Sequence, residues 1–321
     1  MSRRSSTRRN SILADHTTAS DAPGAAFFKP HEWPDDLAHM PDVKQSGIAS
    51  LKEGAIAALQ AADLDTKIDV TRRTALLWHM GTLGVGGAIG QKPPDRPGRP
   101  DKPVLVPPNK LKKRSIRSER GRIALLHAIA HIELNAIDLA WDIVARFADP
   151  SSLGGPVMPR SFFDGWTRVA LEEAKHFSLL RNRLADLNAH YGMLDAHDGL
   201  WEAAQATGHD LTARLAIVPL ILEARGLDIT PSLLAQIEAI GDHDSAAIFR
   251  IIYRDELGHV AVGAKWFRYL CLKQGLEPAS TFQHMVRTYF RGPLKPPFND
   301  FARCRAGLTP GFYRALASAG N

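Results

Sequence analysis

Four long segments of this chain carry hydrophobic residues every three to four positions, the spacing of one face of an α-helix. They run from about 119 to 147, from 161 to 188, from 208 to 225, and from Asp242 or Asp244 to Gln274. Shorter segments predict helices that begin near Leu200, at Thr230-Pro231 and at Ala279. No stretch alternates in the manner of a strand. The pattern therefore predicts an all-α protein.

The segments outside these helices divide the chain further. Residues 1–30 are rich in Ser, Thr and Arg and predict a disordered basic tail. Residues 31–92 form an N-terminal helical extension, with two helices expected between 45 and 90. Residues 93–117 form a proline-rich basic arm, because seven prolines between 93 and 108 exclude helix. Residues 118–276 form a four-helix bundle, and residues 277–321 a C-terminal helix and tail.

Each long segment places one glutamate inside its apolar stripe. These residues are Glu133, Glu173, Glu223 and Glu256. An ionised carboxylate in such a position is costly unless it is paired, protonated or bound to a metal. Two interpretations stay open for each residue taken alone: a core carboxylate paired with Arg or Lys, or a helix rotated so that the glutamate is exposed.

Two of these glutamates are followed by histidine three positions later. The pairs are Glu173–His176 and Glu256–His259. Residues three apart lie on the same face of a helix, so each pair offers a carboxylate and an imidazole to one point. Four helices that carry this set inward can hold two metal ions. Along the chain, a single glutamate is followed by a Glu-x-x-His pair, and this order occurs twice. That order favours one metal site over four separate core carboxylates.

Some polar neighbours are candidates for lesser roles. Tyr253 lies one turn before Glu256 and is a candidate catalytic residue, with a core tyrosine as the alternative. Asp138 and Asp255 are candidate partners of the ligand imidazoles.

Three further histidines are not predicted as ligands. His127 and His131 fall off the Glu133 stripe and are expected to make polar contacts between helices. His209 lies about four turns before Glu223, too far to join the same metal site.

Composition and charge constrain partners and location. Hydrophobic residues make up 45% and charged residues 23% of the chain, which is ordinary for a soluble globular protein. No apolar run approaches the ~20 residues that span a bilayer, so no membrane partner is expected. Cys271 and Cys304 lack metal-binding spacing. A cytoplasmic location is predicted, with a mitochondrial one as the alternative if the basic N-terminus is a transit peptide.

A basic strip runs from Lys92 to Arg120 and holds ten Lys or Arg against three acids, whereas the whole chain has a net charge of +6. Such a strip can contact phosphate on nucleic acid. A solvated linker is the favoured interpretation, because the strip has no aromatic residue on which a base could stack.

Five stretches of the chain carry a family resemblance: Leu125–Ala140, Glu172–Leu180, His197–Trp201, Leu222–Asp228 and Tyr253–Val260. Through these stretches, the chain from about 45 to 315 resembles the ferritin-like superfamily of di-iron carboxylate proteins. Within that superfamily it resembles an uncharacterised family catalogued as a domain of unknown function. The resemblance implies an antiparallel four-helix bundle with a crossover between its second and third helices. It also implies two iron ions, or iron and manganese, on Glu133, Glu173, His176, Glu223, Glu256 and His259.

The function implied by the resemblance is that of an oxidoreductase which activates dioxygen. Carboxylate and imidazole ligands suit iron or manganese, and the expected reaction is hydroxylation or oxidation of an unknown small molecule or modified nucleotide. Two alternatives remain: an iron-binding, ferroxidase-type protein without an organic substrate, and a helical scaffold with a structural metal site.

Overall fold

The computed structural model describes residues 47–86, 91–111, 115–149, 157–291 and 293–317. The predicted N-terminal tail lies outside these residues. Within them the regular structure is helical, and only three isolated β-bridges occur. The all-α prediction is confirmed. The α-helices are α1 (Leu51–Gln60), α2 (Leu64–His79), α3 (Glu119–Phe147), α4 (Arg160–Asp186), α5 (Gly199–Ala206), α6 (Leu211–Ile217), α7 (Ala224–Ala239), α8 (His243–Gln274), α9 (Pro278–Tyr289), α10 (Asp300–Arg305) and α11 (Pro310–Tyr313).

Helices α3 and α8 begin and end where local signals place them. Ser118 caps α3 by accepting a hydrogen bond from the backbone N–H of Gly121 at 3.1 Å. Asp242 caps α8 by accepting one from Ser245 N–H at 3.1 Å. Gly275 ends α8 in the left-handed conformation, with φ 67°, which glycine adopts without strain. These caps fix the two helices that carry Glu133 and the Glu256–His259 pair.

The predicted third helix differs from the structure. Gly226 was expected to end it and Thr230-Pro231 to begin another. Instead α6 continues through a π-helical segment, Val218–Glu223, directly into α7, which runs past Gly226 and contains Pro231. A proline inside a helix leaves the carbonyl four residues before it without its usual amide donor. Here that carbonyl belongs to Leu227, and it accepts a hydrogen bond from the Asn299 side chain at 3.2 Å.

The π-helical segment packs tightly against α8. A Cβ added at Gly263 would lie 2.5 Å from Cβ of Pro219, a separation that real side chains do not show. The close approach places the π-helical segment, and Glu223 at its end, against the helix that carries Glu256. Glycine is therefore required at position 263 by packing.

Replacing Gly263 with alanine is expected to lower the free energy of unfolding by about 1–3 kcal/mol, the usual cost of overpacking a core. Gly226→Ala is the matched control, because Gly226 is also helical and has nothing within 4 Å of an added Cβ. That variant is expected to gain up to about 1 kcal/mol from helix propensity. Chemical denaturation of both variants measures the difference. Equal stabilities would show that the two helices separate easily at this contact.

The N-terminal helices pack onto the same core as the long helices, and the proline arm is joined to neighbouring segments by backbone hydrogen bonds. One continuous apolar core includes Leu51 of α1, Trp141 of α3 and Tyr313 of α11. The arm contacts the end of α1, where Gly98 N–H donates to the Leu59 carbonyl at 2.7 Å. It also forms a bridge between Leu105 and Ala196 in the segment that follows α4. The arm is thus fixed to the end of α1 and to the segment between α4 and α5.

Helix α3 is long and apolar enough to cross a membrane by length and composition, a property that the sequence expectation overlooked. In the structure 67% of its most apolar stretch is buried within the protein. Core helices of soluble proteins, which are mostly buried, meet the same criterion. Helix α3 packs most extensively against α4 and also contacts α1 and α5.

Candidate metal centre

Four helical segments bring the six predicted ligand residues towards one region. Glu133 comes from α3, the Glu173–His176 pair from α4, Glu223 from the end of the π-helical segment, and the Glu256–His259 pair from α8. Both histidines and Glu173 are fully buried, and Glu133 and Glu256 are nearly so. Glu223 has intermediate exposure, which makes it the ligand candidate nearest to solvent.

Four of the six residues form a compact group. One ligand atom from each of Glu133, Glu173, His176 and Glu256 lies within 4.8 Å of the other three. His176 Nδ1 is 3.2 Å from Glu173 Oε2 and 3.4 Å from Glu133 Oε2. The carboxylates of α3 and α4 therefore converge on the same imidazole.

His259 completes the second side of the cluster. Its Nδ1 lies 2.9 Å from Glu173 Oε1 and 3.7 Å from Glu256 Oε1. The ring centroids of His176 and His259 are 5.8 Å apart. Glu173 thus uses one oxygen towards each histidine and occupies the centre of the cluster. Glu223 lies outside the group of four and meets the cluster through its charge interaction with Glu256.

The inward atoms of this cluster lack hydrogen-bond partners. Five buried atoms make none with the described residues: Glu133 Oε2, Glu173 Oε1, Glu223 Oε2, Glu256 Oε2 and His259 Nδ1. An unsatisfied buried polar atom costs about 1–3 kcal/mol. Although Glu173 Oε1 and His259 Nδ1 are only 2.9 Å apart, the two do not form a hydrogen bond. Atoms that crowd together without bonding one another suit a shared cation.

The arrangement bears on the two alternatives that the sequence left open. None of the four glutamates is on an outer face of the described protein. Glu133, Glu173 and Glu256 form ion pairs with the two histidines, and none of the four glutamates pairs with a Lys or Arg among the described residues. The residues present therefore fit a metal with oxygen and nitrogen ligands, such as iron or manganese.

The outer nitrogen of each histidine is held by a carboxylate from the opposite helix. His176 Nε2 lies 3.1 Å from Asp255 Oδ2 on α8. His259 Nε2 lies 2.9 Å from Glu172 Oε2 on α4. A carboxylate on Nε2 keeps the proton on that nitrogen and leaves Nδ1 of the neutral ring free to bind a metal. The two contacts are reciprocal, so each helix orients the imidazole of the other.

Cations on the surface of the cluster hold these two carboxylates in turn. Lys175 Nζ lies 2.5 Å from Asp255 and Arg254 Nε lies 2.9 Å from it. Arg168 Nε lies 2.9 Å from Glu172. Although burial opposes ionisation of Asp255, its contacts with His176, Arg254 and Lys175 hold its pKa well below the usual range. Asp255 is therefore an anion at neutral pH.

Burial and mutual repulsion divide the protonation of the inner carboxyls. Burial raises the pKa of Glu133 well above its usual value, and the charge of Glu173 raises it further. Burial also raises the pKa of Glu223 well above its usual value, and the charge of Glu256 adds to this shift. Burial also raises the pKa of Glu256, and the charge of Glu173 raises it further. Glu173 is the exception: although burial opposes ionisation, the charge of His259 and the hydrogen bond with His176 hold its pKa far below normal.

The two imidazoles hold protons strongly. Burial by itself lowers their pKa, but the surrounding carboxylates outweigh it and raise the pKa of both rings well above the usual value. For His176 the largest raising contact is with Asp255, and for His259 it is the charge of Glu173. Shared protons thus balance the charge of the cluster, and a divalent cation that binds here must displace protons.

Comparison with known proteins places the chain in a family. A family model described as "Protein of unknown function (DUF455)" matches residues 60–314. The chain belongs to this family. An "Uncharacterized protein" of Haemophilus influenzae is 45% identical over 212 residues, which cover 65% of this chain and 73% of that protein. No solved structure matches the chain.

Tyr253, Asp138 and Asp255, the candidates for supporting roles beside the metal ligands, make different contacts in this DUF455 chain. The Tyr253 hydroxyl accepts a hydrogen bond from Asn299 Nδ2 at 3.1 Å, so it is bonded to the segment before α10. Asp138 was expected to orient a ligand imidazole and does not, because it lies between Lys67 at 2.6 Å and Arg99 at 2.6 Å. Asp255 does contact a candidate imidazole, that of His176, at 3.1 Å.

The three other histidines contact loops and α9. His127 Nε2 accepts from Gly192 N–H at 2.9 Å, and His131 contacts the Tyr191 hydroxyl at 2.7 Å. Both therefore bond to the segment between α4 and α5, not to a neighbouring helix as expected. His209 contacts the Tyr289 hydroxyl.

Glu172 is the site residue that the sequence interpretation missed. The signal was present, since an acidic residue directly precedes the ligand candidate in both motifs, as Glu172-Glu173 and Asp255-Glu256. Residues adjacent in a helix point about 100° apart. The first acid of each pair can therefore face the neighbouring helix while the second faces the centre.

Proposed function

We propose that this protein is a ferritin-like di-iron, or iron–manganese, oxidoreductase that activates dioxygen to hydroxylate or oxidise an organic substrate. The bundle in this proposal consists of α3, α4, the continuous run of α6, the π-helical segment and α7, and finally α8. The observation that carries the proposal is the set of five buried, unpartnered lone-pair atoms on four helices. Carboxylates and imidazoles in this ratio are the donor set of di-iron carboxylate proteins.

The roles of the chain's own residues follow from the geometry. Glu173 faces both histidines and would help to hold both ions. Glu133 and His176 would hold one ion, because they approach each other at 3.4 Å. Glu256 and His259, 3.7 Å apart, would hold the other. Glu223 would bind on the Glu256 side. A bound pair of such ions supplies electrons and Lewis acidity for the reduction of dioxygen.

The surrounding residues orient the ligands and exclude water. Asp255 and Glu172 fix the two imidazole rings, and Lys175 and Arg168 fix those carboxylates. Ala130 and Ile137 are buried apolar residues of α3 that lie about one turn from Glu133 on the same face of the helix. Glu223 is the one partly exposed ligand candidate, so we propose that substrate and dioxygen approach from the side of the π-helical segment. Irregular π-helical turns occur frequently at functional sites.

Oxygen reactivity of the ferrous protein tests this function. The protein is loaded with about two ferrous ions per chain without oxygen, then mixed with oxygenated buffer in a stopped-flow spectrophotometer. A rapid absorbance change is expected, because buried carboxylates that served only to join helices could be replaced by apolar residues at no loss of stability. Glu256→Ala is the variant expected to lose the response.

Two other results would point to the alternative functions. No absorbance change over minutes would favour a structural metal site. Continued oxidation of a large excess of ferrous ion would favour iron handling without an organic substrate.

A further inference from the structure

A cavity of about 330 Å³ lies on the far side of α3 from the candidate metal centre. The proline arm, α3 and the segment between α4 and α5 enclose it. His131 and Asn135 line it from α3. Each is two residues from Glu133, and two residues on a helix turn the side chain by about 200°. The cavity is therefore separate from the metal ligands, and its volume falls within the range of small-molecule sites.

The arginines of the arm give the cavity its chemistry. Arg99 donates from Nη2 to Asn135 Oδ1 at 3.0 Å, and Nη2 also lies 2.6 Å from Asp138. Its other terminal nitrogen, Nη1, is buried and has no hydrogen-bond partner. Arg96, at the rim, pairs with Asp198 and is half exposed. An unpaired guanidinium nitrogen in a buried position can donate charge-assisted hydrogen bonds to a carboxylate or phosphate.

The charge around the cavity is left positive. Lys67, which is fully buried, lies 2.6 Å from Asp138 and so shares with Arg99 the one carboxylate between them. His131 adds no charge, because burial and the nearby Arg99 lower its pKa to about 4. Three cations, Lys67, Arg96 and Arg99, thus meet two carboxylates. One further anion would balance them.

The remaining wall is apolar and rigid. Four arm residues present side chains to the cavity: Pro97, Pro100, Pro103 and Leu105. Tyr191 contributes its ring on the opposite side, held by the contact with His131 at 2.7 Å. Backbone hydrogen bonds fix the arm on both sides, from Gly98 to Leu59 at 2.7 Å and from Val106 to Ala196 at 2.8 Å. A site that is already ordered loses less entropy when a ligand binds.

We propose that this cavity binds a small molecule with one carboxylate or phosphate group, held by Arg99 and Arg96, and an apolar part packed against the prolines and Tyr191. The anionic group accepts hydrogen bonds from the unpaired Nη1 of Arg99 and neutralises the excess positive charge. The site is distinct from the metal centre and does not depend on the function proposed above. A ligand bound here would contact both the arm and α3, the helix that carries Glu133.

Isothermal titration of the full-length protein tests the site, with inorganic phosphate and benzoate as probes in separate arms. Benzoate combines a carboxylate with an apolar ring, so stronger binding of benzoate identifies a carboxylate ligand and stronger binding of phosphate a phosphate ligand. Methylammonium chloride should give no heat. Failure of both anions to bind at millimolar concentration, the weakest affinity expected of a formed site, would overturn the proposal.

Three variants locate the binding. Arg99→Lys keeps a charge beside Asp138 but lacks the guanidinium fork, and should weaken binding of the preferred anion at least about ten-fold, as the loss of a charge-assisted bond requires. Arg73→Gln is the control, because it removes an arginine whose ion pair with Asp69 lies outside the cavity. Unchanged affinity in Arg99→Lys would contradict the assignment. Arg96→Gln, a change at the rim, should weaken binding several-fold. If Arg99→Lys fails to fold, unchanged affinity in Arg96→Gln would contradict the assignment of the site.

Discussion

Replacing Glu173 with glutamine should reduce the metal content of the purified protein from about two ions per chain to well below one. Glu173 is fully buried and lies 3.2 Å from His176 and 2.9 Å from His259, and it is the one carboxylate among the described residues that pairs with both histidines. Glutamine keeps the volume but removes the charge that balances the cations. Elemental analysis after reconstitution with ferrous or manganous ion measures the change.

The control for this experiment is Glu238→Gln. Glu238 pairs with Arg250 on the surface and is far more exposed than Glu173, so its loss should leave the metal content unchanged. Asp255→Asn and Glu172→Gln should give intermediate results, since loss of a residue that orients a ligand imidazole lowers metal affinity about 10–100-fold. Full metal content in Glu173→Gln would mean that the ions bind elsewhere.

Much of the helical framework could be predicted because its signals are local. Ser118, Asp242 and Gly275 lie next to the helices that they terminate, and the apolar period between them is unbroken. Four glutamates within that period were enough to predict which faces meet. The structure brings Glu133, Glu173, His176 and Glu256 together as that prediction requires, while Glu223 stands further out at the end of an irregular turn that the sequence did not indicate.

The features that escaped prediction depend on partners far away in the sequence. Pro231 normally interrupts a helix, and only the contact between Leu227 and Asn299, 72 residues apart, shows how this one continues. Asp138, on α3, was a candidate partner of a ligand imidazole. Its partners Lys67 and Arg99 come from α2 and from the arm, segments whose position over α3 no periodicity reveals. The anion cavity went unpredicted for the same reason.

Replacing Asp142 with asparagine should destabilise the protein by about 3–5 kcal/mol, because it leaves a buried guanidinium without its counter-ion. Asp142 Oδ2 lies 2.5 Å from Arg214 Nη1, and both side chains are almost fully buried. Arg214 retains only neutral partners, the Thr207 hydroxyl and the Ala204 carbonyl. Denaturant titration at pH 7 measures the loss. Asp69→Asn, which breaks the exposed pair with Arg73, should cost less than about 1 kcal/mol.

The difference in the free energy of unfolding between wild type and Asp142→Asn should decrease only as the solution becomes acidic. Burial opposes ionisation of Asp142, but Arg214 and Arg146 outweigh it, so the folded protein holds the pKa of this carboxyl below its usual value. A carboxyl with a lowered folded pKa stabilises the protein above its unfolded pKa of about 3.9, and that contribution is lost as the pH falls through the folded value. The stability gap should therefore stay constant from neutral pH to about pH 5 and narrow only in more acidic solution. A gap that closes between pH 8 and pH 6 would instead implicate a histidine, since that is where imidazoles with ordinary pKa values titrate.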